Sequence, residues 1–239
     1  MKHLITLAFA LILTACGGGG GDAPSPAPTC TPVQQVRIQL FGDSTQAGYD
    51  GSNNQIGPNN PTSALQAELD LRYGRGVTFV ISSAMGGTTS QELLAGTDGK
   101  NPPWPKSVTS NIVVINHGIN DATHYGGARF SEYGKTLETL VNLLPPDVTL
   151  IFETPNIVKG WDLVPYAQEL RNVAARHGLR IADTYAYTSS LPDWNTLIPD
   201  WAHPSDALYA MIVKNSLAPV VIAETDKLLC KRPRPKLSN

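Results

Sequence analysis

One early residue and a late pair in the chain have the types needed for attack by a serine hydroxyl. Ser44 stands in Phe41-Gly42-Asp43-Ser44, and Asp200 and His203 stand in Asp200-Trp201-Ala202-His203. A histidine can take the hydroxyl proton. A carboxylate three residues away can orient that histidine and stabilise its charged form. Their order along the chain is nucleophile, orienting acid, general base, but such sets are defined by geometry and roles, so the order alone proves nothing.

Two further segments could hold the negative charge that such an attack creates. In Ala84-Met85-Gly86-Gly87-Thr88-Thr89-Ser90, a glycine can present its backbone N–H to a reacting carbonyl with no side chain in the way. The same segment also reads as an ordinary turn whose Thr and Ser cap the next helix. In Asn116-His117-Gly118-Ile119-Asn120-Asp121, Asn120 can donate a side-chain N–H and Asp121 can hold the loop. His117 competes with His203 for the role of base, but no carboxylate stands at a convincing spacing to orient it. The Gly-x-Ser-x-Gly elbow is absent, because Gln46 occupies the second glycine position. None of these residues calls for a metal or a cofactor.

The elements that must position this set are legible as apolar runs at 36–41, 77–82, 112–116, 148–152 and 179–182, rich in Val and Ile. They are continuous rather than alternating, which is the pattern of parallel strands buried on both faces. Helical patterns at 61–72, 129–144 and 161–177 lie between them. A last one starts at the N-cap Ser205 and runs to about 227, with a kink or break expected at Pro219. The alternation predicts one three-layer α/β/α domain over residues 33–230, with its site at the carboxyl ends of the strands. Ser44 follows the first strand, Gly86-Gly87 the second and Asn120 the third. Asp200 and His203 come after the fifth.

The flanks have a different composition. Met1-Lys2-His3 followed by the apolar stretch 4–13 has the layout of a signal peptide over 1–15, too short to span a membrane as a mature helix. Its end, Leu13-Thr14-Ala15-Cys16, resembles the lipobox of bacterial lipoproteins, which implies that Cys16 is lipidated. The Gly- and Pro-rich residues 16–32 then suit a tether. Plain secretion is the alternative. With Cys16 lipidated, Cys30 and Cys230 remain as a candidate disulfide joining the two ends of the domain. Two free thiols are the other possibility. Residues 231–239 form a basic tail. At 239 residues, 16% charged and a formal charge of -2, the chain is an ordinary globular one with no case for nucleic acid.

Taken in order, Gly42-Asp43-Ser44, Gly87, Gly118-Ile119-Asn120-Asp121 and Asp200-Trp201-Ala202-His203-Pro204 resemble the four blocks of the SGNH (GDSL) hydrolases. The resemblance spans the whole domain. It implies a flavodoxin-like five-stranded parallel sheet and a serine esterase working through an acyl-enzyme. Ser44 would be the nucleophile, His203 the base and Asp200 its orienting acid. The Ser44 and Gly87 N–H groups and the Asn120 amide would form the oxyanion hole, with Gly86 replacing Gly87 if the turn is shifted by one.

The family includes lipases, thioesterases, arylesterases and carbohydrate acetylesterases, so the motifs leave the substrate open. Four tryptophans (Trp104, Trp161, Trp194 and Trp201) lie in or beside segments after strand ends, and amides cluster at 53–60. Aromatics with amides favour an O-acetyl ester on carbohydrate, acted on by a monomer at the bacterial cell envelope. The membrane would be met through the lipid anchor only. A lysophospholipase or thioesterase of broad acyl range competes with this reading, although the polar, proline-rich segment 96–104 argues against a long apolar groove. A non-catalytic carbohydrate-binding lipoprotein is the reading from another class.

Overall fold

The computed structural model describes residues 31–124 and 129–230. They belong to one unit, Thr31–Asn239; the other unit, Met1–Cys30, lies outside the described residues. So do the expected signal peptide, Cys16, Cys30 and the basic tail. Cys230 is disulfide-bonded.

The chain begins with β1 (Val36–Gly42), the short helix α1 (Ser44–Ala47) and a small hairpin, β2 (Tyr49–Asp50) and β3 (Gln55–Ile56). Then come α2 (Pro61–Tyr73), β4 (Thr78–Ser82), α3 (Ser90–Ala95), β5 (Ile112–Asn116) and α4 (Ile119–Thr123). They are followed by α5 (Phe130–Asn142), β6 (Thr149–Glu153), α6 (Val164–His177) and β7 (Arg180–Ala182). The chain closes with α7 (Thr184–Ser189), α8 (Trp194–Leu197), α9 (Asp206–Ile212), a π-helical turn (Val213–Leu217) and α10 (Ala218–Leu228).

Five strands pair in parallel in the order β4-β1-β5-β6-β7, so the second strand of the sheet lies outside the first and the rest run on from the other side. This is the flavodoxin-like order. It makes the junction between β1 and β5 the topological switch point, where ligands of such sheets bind. Both faces are covered. In β5 the side chains alternate, with Val113 and Ile115 packing into the layer of α5 and α6 beside Leu137, Leu140, Leu170 and Val173. Ile112 and Val114 pack into the opposite layer beside Leu65 and Leu69 of α2 and Val221 of α10. Two buried faces keep the strand apolar as far as Asn116 at its carboxyl end, which is why the run is uninterrupted up to there.

Three details depart from the sequence pattern. The last helix is not broken at Pro219. The backbone widens into the π turn, where the Ala218 N–H donates to Val213 O, and α10 resumes with the proline in its first turn. A proline there needs no N–H partner, so the wide turn absorbs the misfit that would otherwise kink the helix. Helix α6 starts at Val164 rather than at residue 161, with Pro165 in its first turn. The polar stretch after Ser44 is not a plain loop but the β2–β3 hairpin.

Candidate active site

Ser44 is delivered by the turn from β1 into α1. Asp43 caps that helix, its Oδ1 accepting from the Thr45 N–H at 2.9 Å and the Thr45 hydroxyl at 2.8 Å. The turn packs directly on β5. A Cβ on Gly42 would lie 2.4 Å from the Asn116 carbonyl oxygen and 2.5 Å from the Gln46 Cβ, so only glycine fits there. At this end of a helix the Ser44 N–H has no intrahelical acceptor and is available as a donor.

The structure brings Ser44, His203 and Asp200 into one hydrogen-bonded line. His203 Nε2 stands 2.8 Å from Ser44 Oγ, and His203 Nδ1 stands 2.6 Å from Asp200 Oδ2. The other carboxylate oxygen, Oδ1, accepts from the Ala202 N–H at 2.9 Å and the His203 N–H at 2.7 Å. Burial pushes the Asp200 carboxyl up. The hydrogen bonds from the His203 ring and the two backbone N–H groups outweigh it and hold the group below the ordinary range for an aspartate. Asp200 is therefore ionised at neutral pH. An anion there fixes the proton on Nδ1 and leaves Nε2 free to accept from the serine hydroxyl.

The two oxyanion segments meet on the far side of Ser44. Gly87 sits at φ +77°, a backbone region that side chains avoid, and no heavy atom lies within 4 Å of where its Cβ would be. A Cβ on Gly86 would stand 3.5 Å from the Ser44 Cβ. Both glycines border the same cavity, and Gly87 is the one in the left-handed region. Asn120 also lines the cavity, and its Nδ2 donates to Thr88 O at 3.0 Å. That bond uses one of its two N–H bonds and leaves the second to point elsewhere. Asp121 anchors the glycine turn to α4, its carboxylate accepting from the Ser90 N–H at 3.2 Å and the Ser90 hydroxyl at 2.5 Å. From below, Lys100 Nζ reaches Ala84 O at 3.0 Å and Asn101 Nδ2 reaches Ser83 O at 2.8 Å. The polar segment 96–104 thus braces the turn and contributes no residue to the cavity lining.

His117 is not placed to act as a base. It is 2% exposed, and burial pushes its pKa down to about 4, against smaller opposing effects from Asp98 and the Thr88 carbonyl. It stays neutral at working pH and does not line the cavity.

The cavity measures about 370 Å³ and is lined by Ser44, Tyr49, Asn54, Met85, Gly86, Gly87, Ile119, Asn120, Trp201, Ala202 and His203. Of the four tryptophans, Trp201 alone lines it, with 43% of its surface exposed. Trp104 is a core residue, stacked edge-on against Phe41 and donating to Leu140 O. The amides of the 53–60 stretch divide in the same way. Asn53 and Asn60 bond within the hairpin and at the cap of α2, and Asn59 donates to Asp206. Asn54, at φ 55° in the hairpin turn, lines the cavity. Tyr49, Met85 and Ile119 are lining residues that the motifs did not single out. For Met85 and Ile119, adjacency to Gly86 and Asn120 in sequence was the available signal, whereas Tyr49 is brought to the cavity by the hairpin. No group of side chains suited to a metal occurs among the described residues.

Comparison with known proteins follows the same lines. The model of the GDSL-like lipase/acylhydrolase family matches residues 40–211. A lipase/acylhydrolase from Enterococcus faecalis superposes with a TM-score of 0.64 at 22% identity, covering 85% of this chain and 100% of its own. A catalytic mutant of an acetylxylan esterase from Geobacillus stearothermophilus gives 0.61 at 22% identity, with the same coverage. An α/β hydrolase from the metagenome of Lake Arreo, Spain, gives 0.60 at 24% identity, covering 81% of this chain and 96% of its own. Among curated proteins, none matches the chain in sequence.

Proposed function

Since the chain belongs to the GDSL-like lipase/acylhydrolase family, and is thereby a serine hydrolase of carboxylic esters, we propose that Ser44, His203 and Asp200 are its catalytic residues and that its substrate is an O-acetyl ester on carbohydrate. The observation that carries the first part is the line of two hydrogen bonds, 2.8 and 2.6 Å, ending on a serine in an open cavity.

The steps follow from that line. Ser44 Oγ attacks the ester carbonyl while its proton passes to His203 Nε2, and the carbonyl electron pair moves onto oxygen. The Ser44 and Gly87 N–H groups and the Asn120 amide face that oxyanion, in a site where fixed donors are worth more than in water. As the carbonyl re-forms, the alcohol leaves with the proton from His203, and acetyl remains on Ser44. A water then gives its proton to His203, attacks the acyl carbon and releases acetate, and the proton returns to Ser44. No cofactor enters.

The substrate class rests on the cavity wall. In the cavity wall, an exposed indole at Trp201 and the Asn54 amide offer a stacking face and a hydrogen-bonding group, which suits a sugar ring carrying hydroxyls. Met85, 40% exposed, and Ile119 favour the second reading, an esterase of broader acyl range. Chain length separates the two. Acetate esters of p-nitrophenol should turn over faster than octanoate esters, with the activity lost in Ser44→Ala. The reverse preference would sink the acetyl reading, and release of acetate from acetylated polysaccharide would support it directly.

The envelope placement, the tether over 16–32 and the anchor at Cys16 rest on the leader alone. Labelling of cells with a palmitate analogue, lost in Cys16→Ser, tests them.

A further inference from the structure

A second, much smaller cavity of about 10 Å³ lies against α1, lined among others by Gln46, Asn116, Glu153 and Thr184. These four residues come from α1, the end of β5, the end of β6 and α7, so four elements converge on it. Three of their polar atoms, Gln46 Nε2, Asn116 Oδ1 and Glu153 Oε2, are buried and have no hydrogen-bonding partner in the protein. The residues that carry them are 2%, 3% and 2% exposed. One such atom left unsatisfied is costly, and three around one space are a pattern.

The space has the size of a single water, which needs roughly 10–15 Å³ by this measure and two to four polar partners. We propose that it is a built water site, in which one buried water joins Gln46, Asn116 and Glu153 and thereby ties the helix carrying Ser44 to the strand leading to Asn120. Glu153 is then a positioning residue, acting on the reaction through α1.

The hydrogen bonds balance. Glu153 Oε1 accepts from the Thr184 hydroxyl at 2.8 Å, and Thr184 is in turn 3.1 Å from the Ser216 hydroxyl in the π turn. That leaves Oε2 for the water. Burial, with Asp43 as a smaller like-charge contribution, pushes the Glu153 pKa up to about 7, against the Thr184 hydrogen bond and the polar Asn116 and Gln46 side chains nearby. Tyr209 is the other titratable group facing it. As an acid, Glu153 donates from Oε2 to the water. The water also accepts from Gln46 Nε2 and donates to Asn116 Oδ1, and every unpartnered atom is satisfied.

The positioning claim rests on Ser44 being the nucleophile; the water claim does not. A high-resolution crystal structure of the protein tests the water alone, with density expected within hydrogen-bonding distance of all three atoms. A dry site, or a Glu153 carboxyl bonded directly to Gln46 or Asn116, overturns it. For positioning, Glu153→Leu should lower kcat by about 10–100-fold at little change in KM, as displaced reacting groups do. Glu153→Gln, which keeps a donor and an acceptor, should rescue most of that loss.

The pH dependence is a separate readout. A folded pKa above the unfolded one means that the stabilisation is full below the ordinary 4.5 and is lost as pH rises to about 7. The wild-type Tm should carry this downward slope and Glu153→Gln should lack it. A glutamine variant at least about tenfold slower than the wild type overturns the positioning role whether or not the leucine variant folds, and one that keeps the slope overturns the assignment of that slope to Glu153.

Discussion

Along the carboxyl edge of the sheet the same residue types occur twice, once at the rim of the cavity and once beneath it. At the rim, the Asp200 and His203 side chains are 32% and 15% exposed and bonded to each other. Beneath it, His117 and Asp121 are 2% and 6% exposed and bond to the backbone and to Ser90. The rim aspartate is held below its ordinary pKa by donated hydrogen bonds. The buried one is pushed up to about 6, because burial outweighs the Ser90 donors. What distinguishes the rim pair, which we propose to react, from the buried one is the balance of donors against desolvation, which residue type does not specify.

The largest expected effect breaks the rim pair alone. Asp200→Asn keeps the shape but lets the His203 ring adopt the wrong tautomer, and kcat should fall on the order of 10⁴-fold. The matching change beneath, Asp121→Asn, should leave the acid limb of the pH–rate profile in place. Steady-state kinetics of the two variants on p-nitrophenyl acetate makes the comparison. Equal losses would mean that the rim and the buried layer do not differ in role.

A smaller effect separates the proposed oxyanion donor from its supports. Asn120→Ala should cost about 10²–10³-fold in kcat, the usual consequence of losing one such donor, with KM little changed. Its Thr88 tether is also lost, so Tm should be recorded for the same variant. A drop in Tm with kcat intact would reduce Asn120 to a structural residue.

How much of this was legible depends on whether a signal is local. Ser44, Asp200 and His203 stood out because their types and spacing suggest one chemistry, and β5 stood out because a strand buried on both faces favours an unbroken apolar run. His117 could be set aside from sequence for want of a spaced carboxylate, and its burial gives the same outcome by another route. The β2–β3 hairpin was hidden, since two strands of two residues carry no period. Without it the roles of Tyr49 and Asn54 could not be seen. Trp201 and Trp104 looked alike because a loop sequence does not say which side chain turns inward. Glu153 was hidden for a related reason: a glutamate at the end of an apolar run reads as the strand's exposed edge, whereas here α1 and the π turn close over it.

The smallest effect sharpens the buried half of the comparison, where two groups titrate in opposition. Asp121, raised to about 6 from the ordinary 3.8, stabilises the fold fully below about 3.8 and loses that contribution as pH rises to about 6. His117, lowered to about 4 from the ordinary 6.5, stays neutral in the fold while the unfolded chain binds a proton, so its contribution grows as pH rises from about 4 to 6.5. At about 1.4 kcal/mol per pKa unit each is worth about 3 kcal/mol, and between pH 4 and 6 they largely cancel. Substituting one at a time uncovers the other. Relative to the wild type, Asp121→Asn should gain stability as pH rises from 4 to 6, and His117→Asn should gain it as pH falls across the same range. Urea unfolding at half-unit pH intervals reads both differences. Parallel curves for all three proteins would mean that neither group changes its proton affinity on folding, and the contrast between rim and interior would then have to rest on geometry alone.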